Sequence, residues 1–348
     1  MNKVYNIIFF ITVIAIYSGL NLNFILKTKK FVIELNVLLY CLFTLLFLSP
    51  FLSIIFYKIK ATFISKTLTF LSHSYLIFLF LFLTISLVFL LLKTIFNIKP
   101  HTEYLLSLLI PLILLTYGLY ENNNIEIKKI EITDKKIKND IKIMHISDLH
   151  FSIIRGKELA LKIKDAYEKN SPHILVFTGD LIDSDPEDIE EIIKIFRGIN
   201  PPLGKYSILG NHEYYYGEEK SIKTHREMGF DILLDEFTVK GNLNIIGKKY
   251  YKEKYIDLSS IDKNNYTILL KHLPYLENNI DFDLQLSGHT HNGQIFPFSL
   301  LVNLYYKNPS GLYEYSNKKI YVHKGTGSWG PIRIFNRPEI VIIKLKKI

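Results

Sequence analysis

Four stretches of this 348-residue chain contain no Asp, Glu, Lys or Arg: residues 4–26, 35–57, 67–92 and 104–120. A helix needs about 20 apolar residues to cross the hydrocarbon core of a bilayer, with about 17 as the short limit. The first three stretches exceed that length and the fourth just meets it, so residues 1–120 are expected to form a transmembrane region of four helices. Pro50 and Pro111 fall inside the second and fourth, where a proline kinks a membrane helix more often than it breaks one. His73, near the start of the third and close to Lys66, reads as an interface histidine rather than a buried proton relay. Lys3 ahead of an apolar run resembles the start of a signal peptide. No small-residue cleavage site follows it, so the first stretch reads as an anchor.

The charge is divided unevenly. Residues 1–120 hold nine lysines, no arginine and two acids, Glu34 and Glu103, and so carry +7 of the formal +9. The remaining residues balance 33 basic side chains against 31 acidic ones. A nucleic-acid-binding domain concentrates basic charge on its soluble part, so this balance argues against a nucleic-acid partner. Cys41 is the only cysteine. It allows neither an intrachain disulfide nor a cysteine-based zinc site.

Residues 121–140 are polar and lysine-rich, with isoleucines alternating in Ile125-Glu126-Ile127 and Ile130-Glu131-Ile132, and read as a linker that becomes an edge strand. From Ile141 apolar strand-like and helix-like segments alternate: 141–147, 158–169, 173–178 and 187–196. After about residue 230 the segments are strands: 231–240, 243–249, 266–271, 284–287, 312–315, 320–323 and 339–345, with a hairpin at Ser316–Lys319. Residues 141–348 are therefore expected to form an α/β domain with two packed sheets and helices outside.

Five short motifs follow apolar segments of this domain: Asp148-Leu149-His150, Gly179-Asp180, Gly210-Asn211-His212-Glu213, His272 and Gly288-His289-Thr290-His291. Strand ends are where open α/β sheets carry ligand groups. Asp148 and His150, and likewise His289 and His291, are two residues apart, so in extended chain each pair can face one side. Carboxylates, imidazoles and one amide oxygen are ligand types for a pair of divalent metals, and a metal pair suits phosphate-ester hydrolysis. Without thiolates the set allows Mn, Fe or Zn. His145, His173, His225 and His323 stand outside these motifs and read as structural.

In this order and spacing the chain resembles the calcineurin-like metallophosphoesterase superfamily. Within it, Gly179-Asp180-Leu181-Ile182-Asp183, Gly288-His289-Thr290-His291, Gln294, Pro309-Ser310-Gly311-Leu312-Tyr313 and the tail Gly330-Pro331-Ile332-Arg333 to Arg337-Pro338-Glu339 are similar to membrane-linked bacterial phosphodiesterases, including UDP-2,3-diacylglucosamine hydrolases. The resemblance implies a four-layer α/β/β/α sandwich and two divalent metal ions. It places one metal on Asp148, His150, Asp180 and His291 and the other on Asp180, Asn211, His272 and His289, with Asp180 shared. His212 is implied as the group that stabilises or protonates the departing oxygen, and Glu213 as a hydrogen-bond partner beside the ligands. Asn292 departs from the pattern, which has glycine after the second histidine.

The implied function is a multi-pass cell-membrane hydrolase of phosphodiester or pyrophosphate bonds. Membrane lipids are its expected partners and a lipid-linked compound such as UDP-2,3-diacylglucosamine its expected substrate. Two alternatives stay open: a phosphodiesterase for soluble nucleotides, and a membrane receptor or scaffold whose metal domain only binds. Tyr214, Tyr215 and Tyr216 can stack a base or simply pack. Arg333 and Arg337 can clamp phosphate or form ion pairs. The uncharged run Ile295–Tyr306 is expected either as an apolar loop at the rim of the site, touching lipid, or as a loop tucked into the core. With four spans both chain ends share one side, which holds nine of the lysines near the spans (Lys3, Lys58, Lys60, Lys66 and five between 128 and 138) against five on the other (Lys27, Lys29, Lys30, Lys93, Lys99). The positive-inside rule then puts the domain in the cytoplasm. A reporter fused after Ile348 is expected to be shielded from a membrane-impermeant reagent in intact cells, and labelling from outside would reverse the orientation.

Overall fold

The charge-free stretches form α1 (Lys3–Phe31), α2 (Val37–Lys58), α3 (Thr62–Leu92) and α4 (Pro100–Asn123) in a computed structural model that describes residues 3–31, 37–251 and 254–348, without the side chains of 3–11, 31 and 37–40. Among the described residues, three segments are long and apolar enough to cross a membrane: Cys41–Lys58, Thr62–Leu92 and Pro100–Asn123. The expected first span, 4–26, lies partly outside the described residues. What is described of α1 ends in Lys27, Lys29 and Lys30, and it is not among the three.

Residues 1–119 form one compact unit. Its core joins Tyr17 and Phe24 of α1 to Tyr75, Phe78, Leu79 and Phe82 of α3, with α2 and α4 packed around them. Pro50 lies inside a continuous α2. A proline frees the carbonyl four residues before it. Here that is the Leu46 carbonyl, which accepts from Ser49 Oγ at 2.7 Å and Tyr17 OH at 3.0 Å. The hydroxyls supply the missing donors, so the helix persists.

Residues 120–348 form the second unit. Its first half contains β1 (Glu126–Asp134), β2 (Ile141–Ile146), α5 (Lys157–Asn170), β3 (Ile174–Phe177), α6 (Ile189–Arg197), β4 (Lys205–Ser207), α7 (His212–Tyr216), α8 (Glu218–Glu227) and β5 (Asp231–Ile232). Then follow β6 (Glu236–Lys240), β7 (Leu243–Gly247), β8 (Tyr266–Leu270), β9 (Leu284–Ser287), α9 (Phe298–Tyr305), β10 (Gly311–Tyr315), β11 (Lys318–Val322) and β12 (Glu339–Lys347). They build two six-stranded sheets, ordered β1-β12-β2-β3-β4-β5 and β10-β11-β9-β8-β7-β6. The strand expected over 231–240 is divided between the sheets. Asp235, in left-handed backbone at φ 59°, turns the chain from β5 into β6.

Period-two alternation sorts the side chains into layers. Ile141 and Ile143 of β2, Ile174 and Val176 of β3, and Val341, Ile343 and Leu345 of β12 point into the core between the sheets. Ile245, Ile268, Leu270, Leu284 and Leu286 meet them from the second sheet. Met144, Ile146, Leu175, Phe177, Ile340 and Ile342 point the other way, against Leu159 and Ile163 of α5 and Ile192 and Phe196 of α6. The outer face of the second sheet differs from the helical fourth layer expected of a four-layer α/β/β/α sandwich. Ile246 and Leu269 are covered there by Ile256, Ile280 and Phe282, which lie in irregular chain among the described residues.

Strands β2, β3 and β4 are parallel neighbours, and so are β8 and β9. Their carboxyl ends therefore lie along one edge of each sheet, and the loops that follow them meet.

Candidate metal centre

Each of the five motifs lies in one of those loops: Asp148 and His150 after β2, Asp180 after β3, Asn211 and His212 after β4, His272 after β8, His289 and His291 after β9. Backbone there is not extended, contrary to the expectation from spacings of two. Asp148, His150, Asp180, His289 and His291 have φ of 53°, 48°, 62°, 76° and 48°. Left-handed backbone at a residue other than glycine costs about 1–3 kcal/mol, so the surrounding structure must enforce it. Asn292, at φ 49° and ψ 32°, shares that conformation. Asparagine tolerates it better than other residues bearing a Cβ, which accounts for its standing where the motif has glycine. The motif glycines answer to crowding: a Cβ on Gly210 would lie 2.2 Å from Asp180 Oδ1, and one on Gly288 2.0 Å from Ser147 Oγ.

The donors converge. His150 Nε2 and His291 Nε2 are 2.9 Å apart, and His291 Nε2 lies 3.5 Å from Asp148 Oδ1. Asn211 Oδ1 lies 3.1 Å from His272 Nε2 and 2.9 Å from His289 Nδ1. Asp180 Oδ2 lies between the two groups, 3.2 Å from His272 Nε2 and 3.9 Å from His150 Nε2. Three sets of donors have their ligand atoms within 4.8 Å of one another: Asp148, His150 and His291; Asp180, His272 and His289; and His150, Asp180 and His212.

The far ring nitrogens are held as well, which fixes where the near ones point. His150 Nδ1 and His212 Nδ1 both bond Asp183 Oδ1, at 2.8 and 2.7 Å. His272 Nδ1 donates to the Thr178 carbonyl at 2.7 Å, and His289 Nε2 is 3.1 Å from the Tyr306 hydroxyl. Arg333 Nη2 lies 3.2 Å from His291 Nδ1. Glu213 is fully buried and accepts from the backbone N–H groups of Asp180, at 3.0 Å, Leu181 and Gly210, tying the loops after β3 and β4 together.

This set suits divalent cations. Asp148 and Asp180 are buried carboxylates, and a buried carboxylate without a positive partner is costly. Burial and the neighbouring His272 charge bring His289 down to about 4, leaving its ring neutral with a lone pair to offer. At His272 burial works downward, yet Asp180 raises the ring to about 10, and a carboxylate that draws a proton there would equally draw a cation. His212 is the counterpart on the open side. Burial would lower it, but the hydrogen bond to Asp183 and the charge of Asp180 raise it to about 9, so it carries a proton at neutral pH. Burial would raise Asp183, and its two histidines instead hold it well below the usual carboxylate range.

All eight residues singled out in the sequence as metal-holding or catalytic meet here. The four histidines read as structural lie apart, with His145 on Thr178 Oγ1 at 2.9 Å, His225 on Ser207 Oγ at 2.9 Å and His173 accepting from the Lys142 backbone at 3.0 Å, while His323 packs on the ring of His145. Among its hydrogen bonds Arg333 pairs with no acid. It is fully buried on the carbonyls of Lys324, Gly327 and Asn336 and the hydroxyl of Ser328. Of the tyrosines, Tyr214 packs on Tyr250 and Tyr251, Tyr216 bonds Asp185, and Tyr215 stands 64% exposed with its ring centroid 5.4 Å from that of His212. The sequence reading missed Asp183 and Tyr306 as site residues. Asp183 had a signal in its place three residues after Asp180, whereas Tyr306 had none, since its contact depends on how α9 folds back.

A family model described as calcineurin-like phosphoesterase matches residues 141–293. The chain is similar to an uncharacterized metallophosphoesterase of Aquifex aeolicus, with 33% identity over 68% of this chain and 98% of that protein. It is similar to another from Campylobacter jejuni, with 34% identity over 72% of each. It also resembles a Danio rerio transmembrane protein with a metallophosphoesterase domain, 29% identical over 70% of this chain and 63% of that one.

Asp183→Asn removes the charge that keeps His212 protonated. The alkaline fall in activity on an aryl phosphodiester, expected near pH 9 in the native protein, should move down toward the ordinary histidine value of about 6.5. At pH 8 kcat should drop by about 30-fold, the fall in the protonated fraction of His212 when its pKa moves from about 9 to about 6.5. A pH–rate profile measures both, and an unmoved limb would separate Asp183 from the proton on His212.

Proposed function

The chain belongs to the calcineurin-like metallophosphoesterase family, and from that premise we propose a membrane-anchored hydrolase that uses two divalent cations to cleave a phosphodiester or pyrophosphate bond. The observation that carries this reading is the convergence of six metal-type donors on either side of one shared carboxylate, Asp180, with a protonated histidine beside them. Asp148, His150, Asp180 and His291 would hold one cation, and Asp180, Asn211, His272 and His289 the other. Bound there, Mn, Fe or Zn ions would neutralise charge on phosphoryl oxygens and acidify water.

The chain's own groups supply the rest. Asp183 turns His212 so that Nε2 lies 4.0 Å from Asp180 Oδ2, toward the place where a phosphate would sit. From there the imidazolium can give its proton to the departing oxygen. A receptor or scaffold would have no need of a proton held in that position, which favours turnover over binding alone. Asp180→Asn should lose metal and activity together while the strands stay folded, because it removes the charge shared by both groups. His212→Ala should keep its metal and lose about 10²–10⁴-fold in rate. Metal analysis beside turnover of a generic aryl phosphodiester distinguishes these outcomes, and near-native turnover by the Asp180 variant would end the two-metal reading.

We take the substrate to be lipid-linked, with UDP-2,3-diacylglucosamine as an example of the class, and the catalytic unit to be cytoplasmic in a multi-pass cell-membrane protein. Support comes from the run 295–306. Its first residue, Ile295, is buried, but most of the run is α9, in which no residue is buried, with Leu300 at 53%, Leu301 at 59% and Leu304 at 83% exposure. Tyr306 at its end touches His289, so this apolar helix borders the metal centre. A chain with membrane-length helices has a bilayer within reach, and apolar side chains exposed beside a site suit acyl chains or a lipid surface. Replacing Leu300, Leu301 and Leu304 with serine should leave hydrolysis of a small soluble diester unchanged. It should lower hydrolysis of a bilayer-embedded substrate by about tenfold or more, since burying each leucine is worth about 1.5–3 kcal/mol. Equal activity of both proteins on both substrates would favour the soluble-nucleotide alternative, for which the exposed Tyr215 offers a stacking face.

A further inference from the structure

The helical unit contains a feature that phosphoester chemistry does not use. A cavity of about 220 Å³ opens where α1 and α3 end and α4 begins, the end opposite that from which the chain leaves the unit. Lys27 and Lys30 reach it from α1, Lys93 from the residue after α3, and Glu103 from the first turn of α4. Ser86 and Ser107 line it from α3 and α4. Both serines are almost completely buried, at 2% and 1% exposure, and neither hydroxyl has a hydrogen-bond partner among the described residues.

Buried hydroxyls are normally paired, and an unpaired one costs about 1–3 kcal/mol. A serine inside a helix can bond the carbonyl three or four residues back, as Thr84 does with Phe80 at 2.8 Å and Thr116 with Leu112 at 3.0 Å. Ser86 and Ser107 do not, so two residues that line the cavity carry hydroxyls without a partner among the described residues. The charge of the lining has a sign. Glu103 pairs with Lys93 and lies 3.5 Å from Lys27, so among the described residues that line the cavity three lysines face one carboxylate, an excess of two positive charges. Pro100, Glu103, Tyr104 and Ser107 show that the N-terminal end of α4 forms one wall, and the N-terminus of a helix favours an anion. The volume exceeds many times over the ~10–15 Å³ that one water needs by this measure.

We propose that this cavity binds a phosphate-bearing anion, with the lysines neutralising its charge and the hydroxyls of Ser86 and Ser107 donating to its oxygens. Such a group belongs equally to the headgroup of an anionic phospholipid and to a free phosphate. The cavity lies at the ends of helices of membrane length, where headgroups are found.

The test uses full-length protein in a neutral detergent, with its melting temperature followed on addition of phosphatidylglycerol, phosphatidylcholine or inorganic phosphate. Phosphatidylglycerol is expected to raise the melting temperature more than phosphatidylcholine does. The triple variant Ser86→Ala, Ser107→Ala, Lys30→Gln removes two unpaired hydroxyls and one exposed lysine, so it should fold as the native chain does and melt alike in detergent alone. Its half-maximal response to phosphatidylglycerol should need about tenfold more lipid, reflecting lost charge-assisted hydrogen bonds. A response to inorganic phosphate that the variant loses would identify a small anion as the occupant, and a response to the lipid alone would identify a headgroup. Equal responses to the two lipids with none to phosphate, or an unaltered response in the triple variant, would overturn the proposal. Should the variant melt lower in detergent alone, Lys30→Gln by itself, at the exposed rim, gives the same comparison.

Discussion

The second unit depends on one packing constraint, the burial of alternate aliphatic side chains between two face-to-face sheets. Ile143 and Val176 on one side and Ile245, Ile268 and Leu284 on the other are completely buried. Each such side chain contributes about 1.5–3 kcal/mol, and their alternation sets which face of each strand points inward. A slip of one residue in any of these strands would turn its core side chains outward. Because β2, β3 and β4 run parallel, as do β8 and β9, holding the sheets together also holds five loops at a common edge. The metal centre is a consequence of that arrangement.

What happens at the edge is electrostatically and conformationally unfavourable on its own. Two buried carboxylates and four clustered imidazoles stand in loops where five of these six residues take left-handed backbone. The opposing terms are local and specific. Asp183 bonds two histidines at once, the Thr178 carbonyl orients a third, and Glu213 gathers three backbone N–H groups from two loops. Arg333 fastens the tail of the chain to four carbonyl or hydroxyl oxygens beside His291. These contacts determine which nitrogen of each ring faces inward, and hence whether the cluster can hold a cation at all.

In the helical unit the problem is reversed, since polar groups must be satisfied where apolar side chains dominate. The carbonyl freed by Pro50 receives two hydroxyls, and Asn21 accepts from Tyr75 at 2.8 Å. Against that background Ser86 and Ser107, like Ser74 and the Asn23 Oδ1, find no partner among the described residues, whereas neighbouring threonines bond their own helix. Polar groups without an internal partner in such a unit mark a place where something else can supply one.

Much of this was legible in the sequence because it rests on local pattern. Charge-free stretches foretold the long N-terminal helices, short apolar segments foretold most strands, and the types and order of Asp148, His150, Asp180, Asn211, His212, His272, His289 and His291 foretold a metal-type cluster. Local pattern also misled where the physical cause was not local. The run 231–240 reads as one strand but serves two sheets because Asp235 turns it. The spacing of two in Asp148–His150 suggested extended chain, while crowding between loops from different strands holds both residues in left-handed backbone. Asp183 as a shared anchor, Tyr306 against His289 and Arg333 against His291 join residues 29, 17 and 42 or more positions apart, where sequence spacing carries no distance information. Residue chemistry and periodicity determined which elements and which ligand types this chain would have. Only the packing of one sheet on the other decided which of those side chains would meet, and with which atom.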